Sequence, residues 1–228
     1  MKLQNNTKIA ESTHGRWYGD ACGAAFALEV LGERWAMLIV RELLLGPRRF
    51  SQLRHALPKI SARVLTERLE SLIANEVVER QEITEPAAAQ FYALTEWGRA
   101  AEPALLALCR WGLAARAHDP SIGTSPVAAL LSLKGNYCGT SASEEIMLGF
   151  EIGGARFLAR LGETMEVSRG DFAEAQAVVS APDPMPILAA FYRESPPQGV
   201  FGAPTVRGDA ALARAAAQRF RFPDRLTS

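Results

Sequence analysis

The fold of the front half is decided by residues 48–68, which read RRFSQLRHALPKISARVLTER. Apolar residues at helical spacing predict a short helix over Phe50–Leu57, which Pro58 ends. After a tight turn, Ser61 is a favourable N-cap for a second helix, which we expect to reach about Asn75. Two helices joined by so short a turn indicate a helix-turn-helix.

The residues on either side predict more helices and one β-hairpin. In order, we expect helices over Cys22–Leu31 and Trp35–Leu43, strands over Val77–Ile83 and Gln90–Leu94 with a tip at 84–89, and a long helix that Thr95 caps and that reaches about Ala117. Ala24, Leu28 and Leu31 form the expected buried stripe of the first helix, and Pro103 should kink or split the last. This order of elements predicts a winged helix-turn-helix domain.

Charge points to a DNA-binding surface only locally. The 228 residues carry 25 basic and 25 acidic side chains, so the net charge is zero and gives no sign of nucleic acid. Within 48–68, however, only Glu67 opposes a group of cations. This cation cluster consists of Arg48, Arg49, Arg54, Lys59, Arg63 and Arg68. Such an excess would neutralise phosphates and make binding fall steeply with salt, although surface charges can also serve only to solvate a protein.

The helical periodicity assigns a role to each candidate contact. Leu65, Leu69, Leu72 and Ile73 form the expected buried stripe of the second helix. Arg63 and Thr66 face away from it, with Glu67 and Glu70, and are candidates for contacts to base edges. The expected phosphate contacts come from Ser51, Gln52, Arg54, Lys59 and Ser61, with Arg68 reaching the DNA backbone from the flank.

The rear half has a different pattern of apolar residues and turn signals. Residues 119–126 are predicted to be a linker between a domain over 20–118, preceded by a flexible tail at 1–19, and a smaller domain over 127–228. The pattern predicts helices over 126–134, 184–193 and 209–220, the last capped by Asp209. It predicts strands over 146–152, 155–161, 164–169 and 175–181, with Gly153 and Gly154 in a tight turn. The fold class is therefore α+β, with an antiparallel sheet in the rear domain.

Residues from about Asp20 to Gly112 resemble the HxlR family of bacterial winged-helix regulators. The residues that carry the resemblance are Cys22, Ala27–Gly32, Arg34-Trp35, Leu38-Ile39, Gly46–Phe50, Ile60–Leu65, Tyr92–Thr95 and Trp111-Gly112. The resemblance implies a homodimer built from the first helix and the long helix after the wing. It also implies an inverted-repeat operator, read by two recognition helices about 34 Å apart.

The hairpin tip and the cysteines bear on the function that this resemblance implies. The hairpin tip, Glu85–Ala89, lacks a basic residue, which puts wing contacts to phosphate in doubt. Cys22 matches a cysteine that senses oxidants or electrophiles in some family members, and the alternative is a structural cysteine at the dimer contact. Cys109 and Cys138 are expected to be buried small apolar residues.

Residues from about Val127 to Leu226 look like a sterol-carrier-protein-like domain. The pieces are 150–152, 157–159, 165–170, 175–180, 187–192 and 206–209. The resemblance implies an apolar cavity for a hydrophobic small molecule, and an ordinary filled core is the alternative. The candidate lining residues are Phe150, Phe157, Met165, Ile187, Leu188, Phe191 and Phe220.

Several other classes of protein are disfavoured. The sequence has no phosphate-binding glycine loop, catalytic-serine motif or metal-ligand spacing, so we expect neither an enzyme nor a cofactor. Three cysteines, no signal peptide and no long apolar run favour a cytoplasmic protein without membrane association. The prediction is a homodimeric DNA-binding regulator, modulated by a hydrophobic ligand or by thiol oxidation. The alternative is a small-molecule carrier whose front domain only dimerises.

Overall fold

The computed structural model describes residues 18–83, 89–119, 122–139, 145–192 and 202–225. The chain forms two compact units, Met1–Glu102 and Pro103–Ser228. The division falls within the helix predicted from Thr95 to about Ala117, whereas the sequence placed the domain boundary beyond that helix, near residue 118. Most of the helix that was expected to complete the front domain therefore belongs to the rear unit.

The front unit contains the predicted order of elements. These are α1 (Gly23–Leu31), α2 (Ala36–Leu43), α3 (Phe50–Ala56), α4 (Ala62–Ala74), β1 (Val78–Ile83), β2 (Ala89–Leu94) and α5 (Glu96–Ala100). The predicted caps are confirmed: Ser61 Oγ accepts the Val64 N–H at 3.2 Å, and Thr95 Oγ1 accepts the Gly98 N–H at 3.0 Å. β1 and β2 pair antiparallel. Of the predicted hairpin tip at 84–89, residues 84–88 lie outside the described residues, and Ala89 begins β2.

Helix α1 buries a different face from the one predicted. Ala25 and Val30 are buried, whereas Ala24 is exposed and Leu28 is 55% exposed. Leu31 is half-buried and packs against the core of the front unit. The helix sequence GAAFALEVL is apolar on almost every side, so periodicity alone could not select the buried face.

The rear unit is a five-stranded sheet with helices. Its elements are α6 (Glu102–Leu113), α7 (Pro126–Gly135), β3 (Ile146–Ile152), β4 (Ala155–Leu161), β5 (Met165–Arg169), β6 (Ala177–Ala181), α8 (Met185–Phe191), β7 (Thr205–Gly208) and α9 (Ala210–Ala217). As predicted, Pro103 marks the break between α5 and α6, and Asp209 caps α9. Gly153 and Gly154 have positive φ angles of 56° and 81°, which confirms the tight turn between β3 and β4.

The predicted antiparallel sheet is confirmed only in part, because one of its four strand pairings is parallel. The strand order is β5-β4-β3-β6-β7, and β3 pairs parallel with β6, so the sheet is mixed. The strands β3, β4 and β5 form a meander, after which the chain crosses back to the open edge of β3. Alternation of apolar residues fixes which side of a strand is buried, but it does not fix the neighbour or its direction.

The proposed ligand-lining residues of the rear unit form its core. All are buried except Leu188, which is half-buried. The Phe191 ring lies 5.5 Å from that of Phe150 and 5.2 Å from that of Phe220, so these three rings pack on one another. These contacts favour the filled-core alternative over a preformed cavity. Among the described residues, no helix has the length and apolar character to cross a membrane.

Candidate nucleic-acid interface

Helix α4 packs into the core of the front unit through one face and exposes the opposite face to solvent. Leu65, Leu69 and Leu72 are buried in the core of the front unit. Arg63 and Thr66 are exposed on the opposite side, as the helical periodicity predicted. The burial of the apolar face fixes the rotation of α4, so both side chains project from a rigid element.

Helix α3 presents polar groups at its start. The side-chain Oε1 of Gln52 accepts the Arg49 N–H at 2.9 Å, which caps the helix. The Arg49 guanidinium lies 5.1 Å from the centre of the Phe91 ring on β2, a cation–π contact. Ser51 and Arg54 are exposed beside these groups. Arg49 and Gln52 therefore have structural contacts in addition to their predicted phosphate contacts.

A groove lies along α3 and the turn before α4. It has a volume of about 720 Å³ and is lined by Phe50, Ser51, Arg54, His55, Pro58 and Ile60. The lining is mostly apolar, with Arg54 as its cationic residue and His55 beside it. Lys59, in the same turn, is exposed. Arg54 and Lys59 are therefore the groups of this region that could contact a phosphate.

Half of the cation cluster is paired within the protein. Arg48 Nη2 lies 3.5 Å from Glu42 Oε2, Arg68 Nη2 lies 3.1 Å from Glu33 Oε2, and Arg63 Nε lies 2.8 Å from Glu67 Oε1. The sequence predicted none of these pairs: it identified Glu67 only as the one acidic residue within 48–68, and Glu33 and Glu42 lie outside that stretch.

Burial separates the paired arginines into two kinds. The side chains of Arg48 and Arg68 are 13% and 11% exposed, whereas that of Arg63 is 88% exposed. Arg48 and Arg68 therefore belong to the framework of the front unit, and the predicted DNA contact of Arg68 finds no support in its position. The exposed cations of the cluster are Arg49, Arg54, Lys59 and Arg63.

Glu42 is a residue that the sequence analysis missed. Its carboxylate is fully buried and accepts from Arg41 Nη2 at 2.9 Å and Nε at 3.1 Å, in addition to its ion pair with Arg48. Arg48 in turn forms a backbone bridge with Tyr92 on β2, at N–O distances of 2.9 and 2.8 Å. The signal was present, because Glu42 falls on the same face of α2 as the buried Ile39.

Cys22 lies at the N-terminus of α1 and is exposed. The backbone N–H groups of Ala25 and Ala24 lower the pKa of its thiol, because they stabilise the thiolate. The carboxylate of Asp20 accepts the Cys22 backbone N–H at 2.9 Å. The prediction of two buried cysteines is wrong, because Cys109 is half-buried and Cys138 is exposed.

Comparison with known proteins identifies the front half. The model of the HxlR-like helix-turn-helix family matches residues 30–119. The transcriptional regulator YvaP of Bacillus subtilis is 43% identical over 95 residues, which cover 42% of this chain and 86% of YvaP. YodB of the same organism is 40% identical over 85 residues, which cover 37% of this chain and 76% of YodB. The structure of reduced YodB superimposes with a TM-score of 0.38, at 37% identity, over 41% of this chain and 92% of that one.

Replacing Glu42 tests its structural role. Glu42→Ala should lower the free energy of unfolding of the front unit by roughly 3 kcal/mol, because Arg48 would keep its mostly buried charge without the carboxylate. Urea-induced unfolding measures this change. Glu70→Ala, on the exposed face of α4, is the matched control and should stay within about 0.5 kcal/mol of the wild type. Equal stability of the two variants would contradict the role.

Proposed function

The chain belongs to the HxlR-like helix-turn-helix family of transcriptional regulators, and on this premise we propose that it binds an inverted-repeat operator as a homodimer. The observation that carries the proposal is the exposed face of α4, with Arg63 and Thr66 projecting from a helix whose other face is buried. A helix of this kind fits a major groove about 12 Å wide, and α3 supports it from behind.

The exposed cations supply the phosphate contacts of this proposal. Arg54 lines the groove along α3, and Lys59 lies in the turn before α4. Neither side chain forms an ion pair with a residue that the structure describes. Each can therefore neutralise a phosphate without first breaking an internal contact, and each would release about one counterion on binding. A carrier protein has no use for this surface, and the regulator relatives do not favour that alternative.

Salt dependence of DNA binding tests the proposed surface. Fluorescence anisotropy on duplexes selected from a random library by the wild-type protein should show affinity that falls linearly on logarithmic axes with salt concentration. Lys59→Ala and Arg54→Ala should each reduce the slope by about 1 and weaken binding to all sequences alike. Arg214→Ala, an exposed arginine of the rear unit, should leave the slope unchanged. The absence of any selected sequence would refute the proposal.

Exposed apolar side chains on α1 and α6 support the homodimer. On α1, Phe26 is 37% and Leu28 is 55% exposed, and on α6, Trp111 is 71% exposed beside Leu108. Large apolar side chains in contact with water are typical of surfaces that become buried on association. The sequence resemblance assigned the dimer contact to the same two helices.

A charge placed on α6 should separate the subunits. Trp111→Glu is expected to convert the dimer into a monomer, because the carboxylate would have to be desolvated at the contact. Light scattering coupled to size-exclusion chromatography measures the mass. Ile122→Glu is the control, because Ile122 is similarly exposed (68%) but lies outside both helices, and this variant should remain dimeric. A dimeric Trp111→Glu variant would place the contact elsewhere.

We further propose that Cys22 modulates DNA binding by thiol chemistry. Exposure and a lowered pKa are the two properties that make a cysteine reactive at neutral pH, and Cys22 has both. Its thiolate can add to a quinone ring, forming a C–S bond. Uptake of one proton and transfer of the ring hydrogen from the attacked carbon to oxygen then give a substituted hydroquinone. The modified side chain would lie next to the exposed apolar residues of α1, which form part of the proposed dimer contact.

A cysteine variant tests this proposal. Because the pKa of Cys22 is lowered, alkylation of the wild type should become half-maximal at a lower pH than for an ordinary cysteine, and the rate should rise as the pH increases through that pKa. Cys22→Ser should abolish the fast phase and any loss of DNA binding after treatment with benzoquinone or peroxide. A response that survives in Cys22→Ser but disappears in Cys138→Ser would move the sensing role to the rear unit.

For the rear unit, we propose a sterol-carrier-like fold, because its sequence pattern resembles that of such domains. We also propose that it binds a hydrophobic effector, as the resemblance implies. The packed rings of Phe150, Phe191 and Phe220 mean that a bound molecule would have to displace them. An effector of this kind alters operator affinity only if it binds two states of the protein with different affinity.

A further inference from the structure

We propose that Glu67 is a positioning residue that aims the guanidinium of Arg63 at a guanine in the operator. This inference rests on the proposed function and deepens it, because it names the base that the helix α4 reads and the residue that enforces the choice. The observation behind it is a single ion pair on the exposed face of α4, between side chains one helical turn apart.

The geometry of the pair leaves the reading end of Arg63 available. Arg63 Nε donates to Glu67 Oε1 at 2.8 Å, and the two Nη nitrogens of Arg63 make no hydrogen bond to a described residue. The side chain of Arg63 is 88% exposed and that of Glu67 is 43% exposed. The carboxylate therefore holds the guanidinium from its Nε side while the fork of two Nη donors remains in solvent.

Helix stability does not account for this arrangement. Arg63 is the second residue of α4, where the partial positive charge of the helix N-terminus disfavours a cation. The order Arg-then-Glu is also the less favourable direction for such a pair on a helix. The first turn of α4 contains no acidic residue that would offset the cost. Arg63 therefore lies where the helix dipole disfavours its charge, at the N-terminal end of α4. In a helix-turn-helix, this end of the recognition helix contacts the base edges.

The available fork matches one base in the major groove. Guanine presents two acceptors there, O6 and N7, and an arginine that donates to both makes the commonest specific contact. Holding Nε restricts the rotamers of Arg63, so that less side-chain entropy is lost on binding. The carboxylate also competes with phosphates for the cation. Without Glu67, Arg63 would be free to pair with any nearby phosphate, and selectivity would fall while general affinity rose.

The other paired arginines of the cation cluster differ from Arg63 in burial. Arg48 and Arg68 are largely buried with glutamates that lie on α2 and in the loop before it. Only the Arg63–Glu67 pair, among the three pairs of this cluster in the described residues, is both exposed and confined to α4. The burial of the first two indicates a framework role, and the exposure of the third indicates a role at the DNA.

Single-base replacement in the selected duplex tests the inference. Each position of the half-site is replaced in turn, and affinities are measured for the wild type, Arg63→Ala, Glu67→Ala, Glu67→Gln and Glu70→Ala. Arg63→Ala should lose about ten- to hundredfold preference at one guanine. Glu67→Ala should lose about fivefold or more at the same guanine and bind unrelated DNA more tightly. Glu67→Gln, whose amide oxygen still accepts from Nε, should keep most of the preference, and Glu70→Ala all of it.

A modified base separates positioning from general electrostatics. Replacing that guanine by 7-deazaguanine removes the N7 acceptor, so the wild type should lose affinity and Glu67→Ala should lose much less. If Glu67→Ala strengthens binding to all duplexes equally and keeps the guanine preference, Glu67 only repels phosphate and the inference is overturned. Loss of preference at a different base pair would show direct reading by Glu67 and also overturn it. Failure of the wild type to select any sequence would instead refute the proposed function, and the inference with it.

Discussion

The front unit depends on one buried charge. Glu42 lies fully buried on α2 among apolar residues, and its carboxylate is held by two arginines, one beside it and one in the segment that leads into α3. Because a buried carboxylate is costly unless it is paired, the position of that segment is set by electrostatics as much as by packing. The backbone bridge from Arg48 to Tyr92 extends the constraint to the hairpin. Glu42 thus helps to fix the segment before α3 to α2, and that segment is in turn bonded to the hairpin.

Local signals were sufficient for most of the elements. Ser61, Thr95 and Asp209 each cap a helix as predicted, because capping needs only a side-chain oxygen and the N–H groups of the next turn. The paired glycines at 153–154 fixed a hairpin for a similar reason, since both adopt positive φ. The exposed face of α4 also followed from spacing, because three leucines on one side decide which side chains remain in solvent.

Interactions between distant residues were not predictable in the same way. The cation cluster looked almost unopposed because Glu33 and Glu42 precede it in the sequence and meet Arg68 and Arg48 only in the folded unit. The face of α1 could not be assigned, since that helix is apolar nearly all round. The direction of β6 beside β3 was missed because strand neighbours are chosen by the path of the whole chain, and nothing within either strand records it.

The parallel pairing of β3 with β6 has a consequence for synthesis on the ribosome. The meander of β3, β4 and β5 can form as soon as it emerges, since its contacts are between neighbours in sequence. The central strand nevertheless keeps the backbone groups of one edge unpaired until residues 177–181 have been translated, and the strand itself carries apolar side chains such as Leu148 and Phe150. A nascent or prematurely terminated chain that stops short of β6 therefore displays an unprotected strand, which is a template for aggregation.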